Sequence, residues 1–164
     1  MNARTSALNA DGIAEPFHLD EVPWEEFGHG ERFGMRYQVL SAFAGGTQIT
    51  VCNEILEPGK QANQAHYHML EEEHLLVLEG HMTVQLGSVK HEVGPGSYIC
   101  FPAGQRVPHS IFNHTDGPCR YLILGNVRKN DVMVYPETGR VHVKLTGESY
   151  RTEPTMQYWE GVAE

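Results

Sequence analysis

Residues 66–80 read "HYHMLEEEHLLVLEG" and put two imidazoles and a run of three carboxylates into one short span. On a helix, His66 and His68 would lie about 200° apart around the axis and could not share an ion. On a strand, positions i and i+2 face the same side, so the pair becomes a ready chelate and Tyr67 points to the opposite face. A third donor must then return on the next strand. "MLEE" serves as the turn, and Glu73 opens a second strand that ends at Gly80 in a turn or bulge. Two imidazoles and a carboxylate suit a divalent transition metal. The competing reading is an ordinary solvated strand with an acidic turn, in a chain that has ten histidines. Taken alone, this stretch does not separate the two.

A second segment, "GSYICFPAGQRVPHSIFN", runs from residue 96 to residue 113. A short apolar strand reaches Pro102, "PAG" makes a turn, and His109 begins another strand whose face it shares with Ile111 and Asn113. His109 could supply a fourth donor from a neighbouring strand, although a Pro-Gly turn before a His is also common in plain loops. Arg106 lies in the intervening loop, where it would hang over a cavity mouth and hold an anion, or else be solvated. Tyr98 and Cys100 alternate onto one face, where they would line the barrel, with Tyr98 a candidate substrate contact, or else serve as simple core.

The elements that must carry these residues are strands. From Gln38 onward the chain consists of short runs rich in β-branched and aromatic residues, among them "QVLSAF", "QITVCNEIL", "HLLVLEGHMTVQL", "CRYLILGNV" and "RVHVKL". "EPGK", "GPGS", "NHTDGP" and "PETG" punctuate them. Such spacing predicts an all-β antiparallel sandwich or barrel. The expected organisation is an N-terminal arm with first strands over 1–37, a barrel over 38–145 and an irregular C-terminal arm over 146–164. Aromatic arms and barrel edges need cover, which predicts a homodimer.

The chain of 164 residues is the size of one ordinary domain. Its formal net charge of −9 argues against nucleic acid and anionic membranes as partners, since both reward a positive surface. No stretch reads as a membrane span or a signal segment. The three cysteines are far apart and form no CxxC pair, which fits a reduced, cytoplasmic protein with buried thiols.

Taken together, the two segments resemble the motifs of the cupin family. "PGKQANQAHYHMLEEEHLLVLEG" looks like the first cupin motif, with Gly59, His66, His68, Glu73 and Gly80 in its places. Glu73 takes the acidic position because six residues separate it from Gly80. The second motif is similar to the later segment, with Gly96, Pro102, Gly104, His109 and Asn113. Two departures are a four-residue gap between Gly104 and His109, where two is commonest, and Ser97 in place of a frequent Asp. The stretch before His66 is also one residue longer than usual. "DVMVYPETGRVHVKL" and "YWEG" resemble the ending of a bacterial cupin group. The resemblance implies a double-stranded β-helix, or jelly roll, with one divalent metal held by His66, His68, Glu73 and His109. Mn, Fe, Ni, Co, Zn and Cu all suit these donors. It further implies a metal-dependent enzyme on a small polar metabolite, with sugar or sugar-phosphate isomerisation or epimerisation favoured. An Fe(II) dioxygenase and a non-catalytic binding module stay open, because fold alone does not fix chemistry.

Overall fold

A computed structural model describes residues 4–161. The outermost residues of both expected arms, 1–3 and 162–164, lie outside the described residues. The described residues form thirteen strands, one short α-helix and two 3-10 turns. The first layer contains β1 (Glu25–His29), β2 (Phe33–Val39), β3 (Ile49–Leu56), β5 (Glu73–Glu79), β8 (Tyr98–Phe101) and β10 (Cys119–Asn126), in the order β1-β2-β3-β10-β5-β8. The second layer has two parts. One is β13 (Glu148–Arg151), β12 (Arg140–Val143), β11 (Val132–Tyr135) and β4 (Tyr67–His68); the other is β7 (Val89–Val93), β6 (Met82–Leu86) and β9 (His109–Phe112). His66 and His109 join the two parts by exchanging backbone bonds of 3.1 and 2.8 Å. All named pairings are antiparallel. This is the antiparallel sandwich expected from the strand pattern, in the jelly-roll form that the cupin resemblance implies.

Alternation explains the core. In β5, Leu75 and Val77 are buried while Leu76 and Leu78 are half-buried, and in β10 Cys119 and Tyr121 are buried. These residues meet Leu56, Met82, Val84 and Phe101 in one cluster. Each fully buried aliphatic side chain there contributes about 1.5–3 kcal/mol. Gly80 separates β5 from β6. Its φ is +72°, and a Cβ there would stand 2.6 Å from the Pro118 carbonyl oxygen, so no other residue fits without moving backbone. Asn113, fully buried, bonds the Leu56 and Gly117 carbonyls at 2.8 Å each and accepts from Thr115. It anchors the loop that leads back into β10.

Three boundaries differ from the sequence reading. The line at 37/38 cuts through β2, which pairs with β1 as a hairpin over the Gly-rich segment. "QVLSAF" is not one strand: it turns into α1 (Leu40–Phe43), whose Phe43 packs with Ala7, Val22 and Phe17 in a second small cluster. The C-terminal arm carries β13, paired with β12. Cys100, expected buried, is exposed on β8, whereas Cys52 and Cys119 are buried.

Candidate metal centre

His66 and His68 flank Tyr67 at β4, and Met133 of β11 is the Cα partner of His68. His109 opens β9 beside His66. Glu73 comes from the other layer, at the start of β5, between Phe101 of β8 and Gly125 of β10. A Cβ on Gly125 would lie 3.2 Å from the Glu72 carbonyl and 3.5 Å from Glu73 Cγ, so the bare backbone leaves room for the Glu73 side chain. Both layers thus contribute donors to one point.

Donor atoms of His66, His68 and Glu73 all lie within 4.8 Å of one another. Glu73 Oε2 accepts from His109 Nε2 at 3.1 Å and stands 3.4 Å from His68 Nε2. Around this group a second set of contacts fixes the rings. His66 Nδ1 donates to the Gln64 carbonyl at 2.8 Å, and His68 Nδ1 donates to Asp131 Oδ2 at 2.6 Å. Asp131 is fully buried and also accepts from the backbone of Leu70 and Glu71 at 2.8 and 3.3 Å. Phe101 stacks on His109 with centroids 3.9 Å apart, and Tyr135 stacks on His66 at 5.5 Å.

The electrostatics follow from burial and from these partners. Burial, helped by neighbouring His109, pushes His66 down to about 4, so it is a neutral imidazole. Burial also opposes charge on His68, but Glu73 and Asp131 outweigh it and raise its pKa. Burial favours the neutral form of Glu73, yet the hydrogen bond from His109 and the closeness of His68 hold its carboxyl well below the usual range. Asp131 is likewise buried, and its bond to His68 lowers its pKa.

The donor set fits a divalent ion. With Nδ1 protonated on His66 and His68, the Nε2 lone pair of each is free, as metal-binding imidazoles require. His68 Nε2 is buried and has no hydrogen-bond partner. His66, His68 and an ionised Glu73 make a borderline ligand set, which His109 Nε2 would join on giving up the proton it shares with Glu73. A cavity of about 380 Å³ opens onto the group, walled by Thr50, Asn63, Ile123, Met133, Tyr135 and Lys144.

Of the residues singled out in the sequence, His66, His68, Glu73 and His109 are brought together, and Arg106 and Tyr98 are not. Arg106 lines an apolar groove with Tyr67, Met69 and Leu70, on the face of β4 opposite the two histidines, because Tyr67 alternates away from them. Tyr98 is 61% exposed on edge strand β8. Its hydroxyl donates to His74 Nδ1 at 2.5 Å, and His74 Nε2 donates to Glu72 at 3.1 Å. Tyr98 shares a face of β8 with Cys100, as alternation predicts, but that face is the outward one. Asp131, Tyr135, Asn63 and Lys144 went unnoticed in the sequence. Lys144 reaches the cavity wall bonded to Glu71, which also accepts from the Arg128 backbone at 2.8 Å, so two members of the "EEE" run turn inward rather than one. Only pairing of β11 with β4 brings Asp131 to His68, and no local pattern announces that pairing.

Residues 53–125 match the family model described as the cupin domain. No curated protein sequence matches the chain. Among solved structures, the chain is similar to a sugar phosphate isomerase of the cupin superfamily from Silicibacter pomeroyi DSS-3. The TM-score is 0.75 and the identity 25%, over 87% of this chain and 96% of the other. A candidate sugar phosphate isomerase from Acidithiobacillus ferrooxidans superposes with a TM-score of 0.80 at 23% identity, over 87% and 95% of the two chains. The polyketide cyclase RemF from Streptomyces resistomycificus gives 0.59 at 24%, over 71% and 81%. The last two likenesses concern the fold alone. With its jelly roll and its two motifs, this chain carries a cupin domain over residues 53–125.

Proposed function

We propose that the chain is a metal-dependent enzyme that isomerises or epimerises a small sugar phosphate or related polar metabolite. One divalent ion (Mn, Fe, Ni, Co, Zn or Cu) would be held by His66, His68, Glu73 and His109. The observation that carries this reading is His68 Nε2, buried beside an ionised Glu73 without a hydrogen-bond partner. A buried polar atom left unpaired costs about 1–3 kcal/mol, which a metal ligand bond would offset. The name of the 25%-identical neighbour supports the choice of substrate class.

A bound divalent ion supplies Lewis-acid polarisation to a carbonyl oxygen. The chain's own residues prepare the site for it. Asp131 and the Gln64 carbonyl keep protons on Nδ1 of His68 and His66, so both Nε2 lone pairs are available. Phe101 and Tyr135 pack against the rings and limit their rotation. Lys144 presents an ammonium at the cavity wall, and Thr50 and Asn63 offer neutral hydrogen-bonding groups to sugar hydroxyls. The proposal also places the chain in the cytoplasm. All three cysteines are free, and burial pushes Cys52 and Cys119 up to about 12 and about 11, which makes them neutral packing groups. No helix among the described residues is long and apolar enough to cross a membrane.

A panel of aldoses, ketoses and their phosphates, assayed without oxygen with each metal in turn, tests the reading. The expected result is turnover that disappears in Glu73→Ala. Elemental analysis should show metal in the wild type and its loss in His66→Ala; equal content would remove the ligand assignment. Activity confined to Fe(II) with oxygen consumed would assign the chain to the dioxygenases. Tight ligand binding without turnover would make it a binding module.

A further inference from the structure

A second chamber of about 460 Å³ adjoins the metal cavity and shares Asn63 and Tyr135 with it. Its other walls include Phe27 and His29 of β1, Gln64, and Arg140 at the start of β12. Arg4, Arg36 and Arg120 are each paired with a glutamate, whereas Arg140, like Arg32, Arg106, Arg128 and Arg151, is not, and among the described residues Arg140 is the arginine with a buried nitrogen that lacks a hydrogen-bond partner. Among the described residues no carboxylate lies within ion-pair distance of it, although the chain's formal charge is −9. Its one side-chain partner is Gln64, 3.3 Å from a terminal nitrogen, and its Nε is buried with no hydrogen-bond partner.

A guanidinium is always charged and offers five donors in a rigid plane. Leaving its charge unpaired and its Nε unsatisfied is costly unless an acceptor arrives. The plane is already held in place, since Arg140 Cζ sits 4.0 Å from the Tyr135 ring centroid, and that ring stacks on His66. Cation, phenol and metal-site imidazole therefore follow one another in a row. Stacking occupies the face of the guanidinium and leaves its N–H edge for a planar or tetrahedral oxyanion.

We propose that Arg140 is the binding residue of an oxyanion subsite next to the metal centre, and that it takes the phosphate group of the substrate. This rests on the sugar-phosphate reading and adds the location of the phosphate. The sugar carbon chain would span the shared wall at Asn63 and Tyr135, with its carbonyl end at the metal ligands.

The test uses the full metal-loaded chain and inorganic phosphate as probe, with acetate as the carboxylate comparison. Calorimetric titration should show phosphate bound more tightly than acetate. Arg140→Met, which keeps an apolar stem over Tyr135, should weaken phosphate about tenfold to a hundredfold while metal content stays at the wild-type level. Arg140→Lys should recover part of that loss; if the Met variant does not fold, a loss of phosphate affinity in the Lys variant carries the test. Equal phosphate affinity in wild type and folded variants, or no phosphate binding by the wild type, would overturn the subsite. So would acetate bound as tightly as phosphate. Kinetics separate this proposal from the functional one. Arg140-dependent phosphate binding with no turnover of any sugar phosphate keeps the subsite and removes the isomerase reading. Turnover with a KM indifferent to Arg140→Met keeps the isomerase and removes the subsite.

Discussion

Asp131 lies 63 residues from His68 in sequence and 2.6 Å from it in space. Its carboxylate sets the tautomer of one imidazole of the proposed metal centre, so its replacement should act on a bound ion without touching it. Asp131→Asn should lower metal affinity about tenfold to a hundredfold, measured by competition with a chromophoric chelator. Wild-type affinity in that variant would show that the carboxylate only packs. Glu54 gives a different residue-scale test. It is buried on β3, and burial raises its carboxyl from 4.5 to about 7 against the opposing effect of Tyr121, with Glu73 adding to the rise. The folded state therefore favours the protonated form more than the unfolded chain does. Its stability contribution is complete below about pH 4.5 and is lost as pH rises through 7, a change of about 3 kcal/mol. Glu54→Gln should raise Tm at pH 8 and change it little at pH 5. The same gain at both values would mean that Glu54 is not titrating. The His66–His68 pair was legible because alternation is local, and a strand was the one geometry that let both rings face one ion. Asp131, Glu54 and Arg140 were not, since each draws its meaning from a pairing partner far along the chain. Tyr98 shows the same limit: period two groups residues onto a face without saying which face is inside.

At the scale of elements, the turn between β5 and β6 is the most constrained point described. Gly80 combines a left-handed φ with backbone contact to Pro118 and Cys119. Gly80→Ala should cost about 1–3 kcal/mol from the dihedral alone and more from the contact, read as a lower midpoint in urea unfolding. A midpoint equal to wild type would show that the turn relaxes freely. The turn-rich punctuation and β-branched runs made most strands readable, and Gly80 was expected as a turn. The hairpin of β1 and β2 was less visible, because its Gly-rich sequence has weak strand propensity and its pairing to β3 decides the outcome. The helical turn after Val39 is similarly set by Phe43 finding a pocket with Ala7 and Val22, a tertiary contact that overrides local preference.

For the whole molecule, the edges of the sheets differ in how they face solvent. β7 carries Lys90, His91 and Glu92, all exposed, which discourages pairing with another chain. Edge strand β8 reads Tyr98, Ile99, Cys100 and Phe101, with no charge and two exposed residues. We expect a homodimer that covers this edge or the apolar groove around Tyr67 and Val134. Light scattering should give twice 18.4 kDa; a mass of one chain across a wide concentration range would refute it. The reciprocal bonds between His66 and His109 have a further effect at this scale. They are the seam between the two parts of the second layer, and the imidazoles of the same two residues reach toward Glu73 on the opposite layer. An ion there would act as a rivet through three pieces of sheet at once. Chelation should then speed hydrogen exchange at the His66 and His109 amides far more than along the β3–β10 ladder, so the barrel would unzip from its metal end.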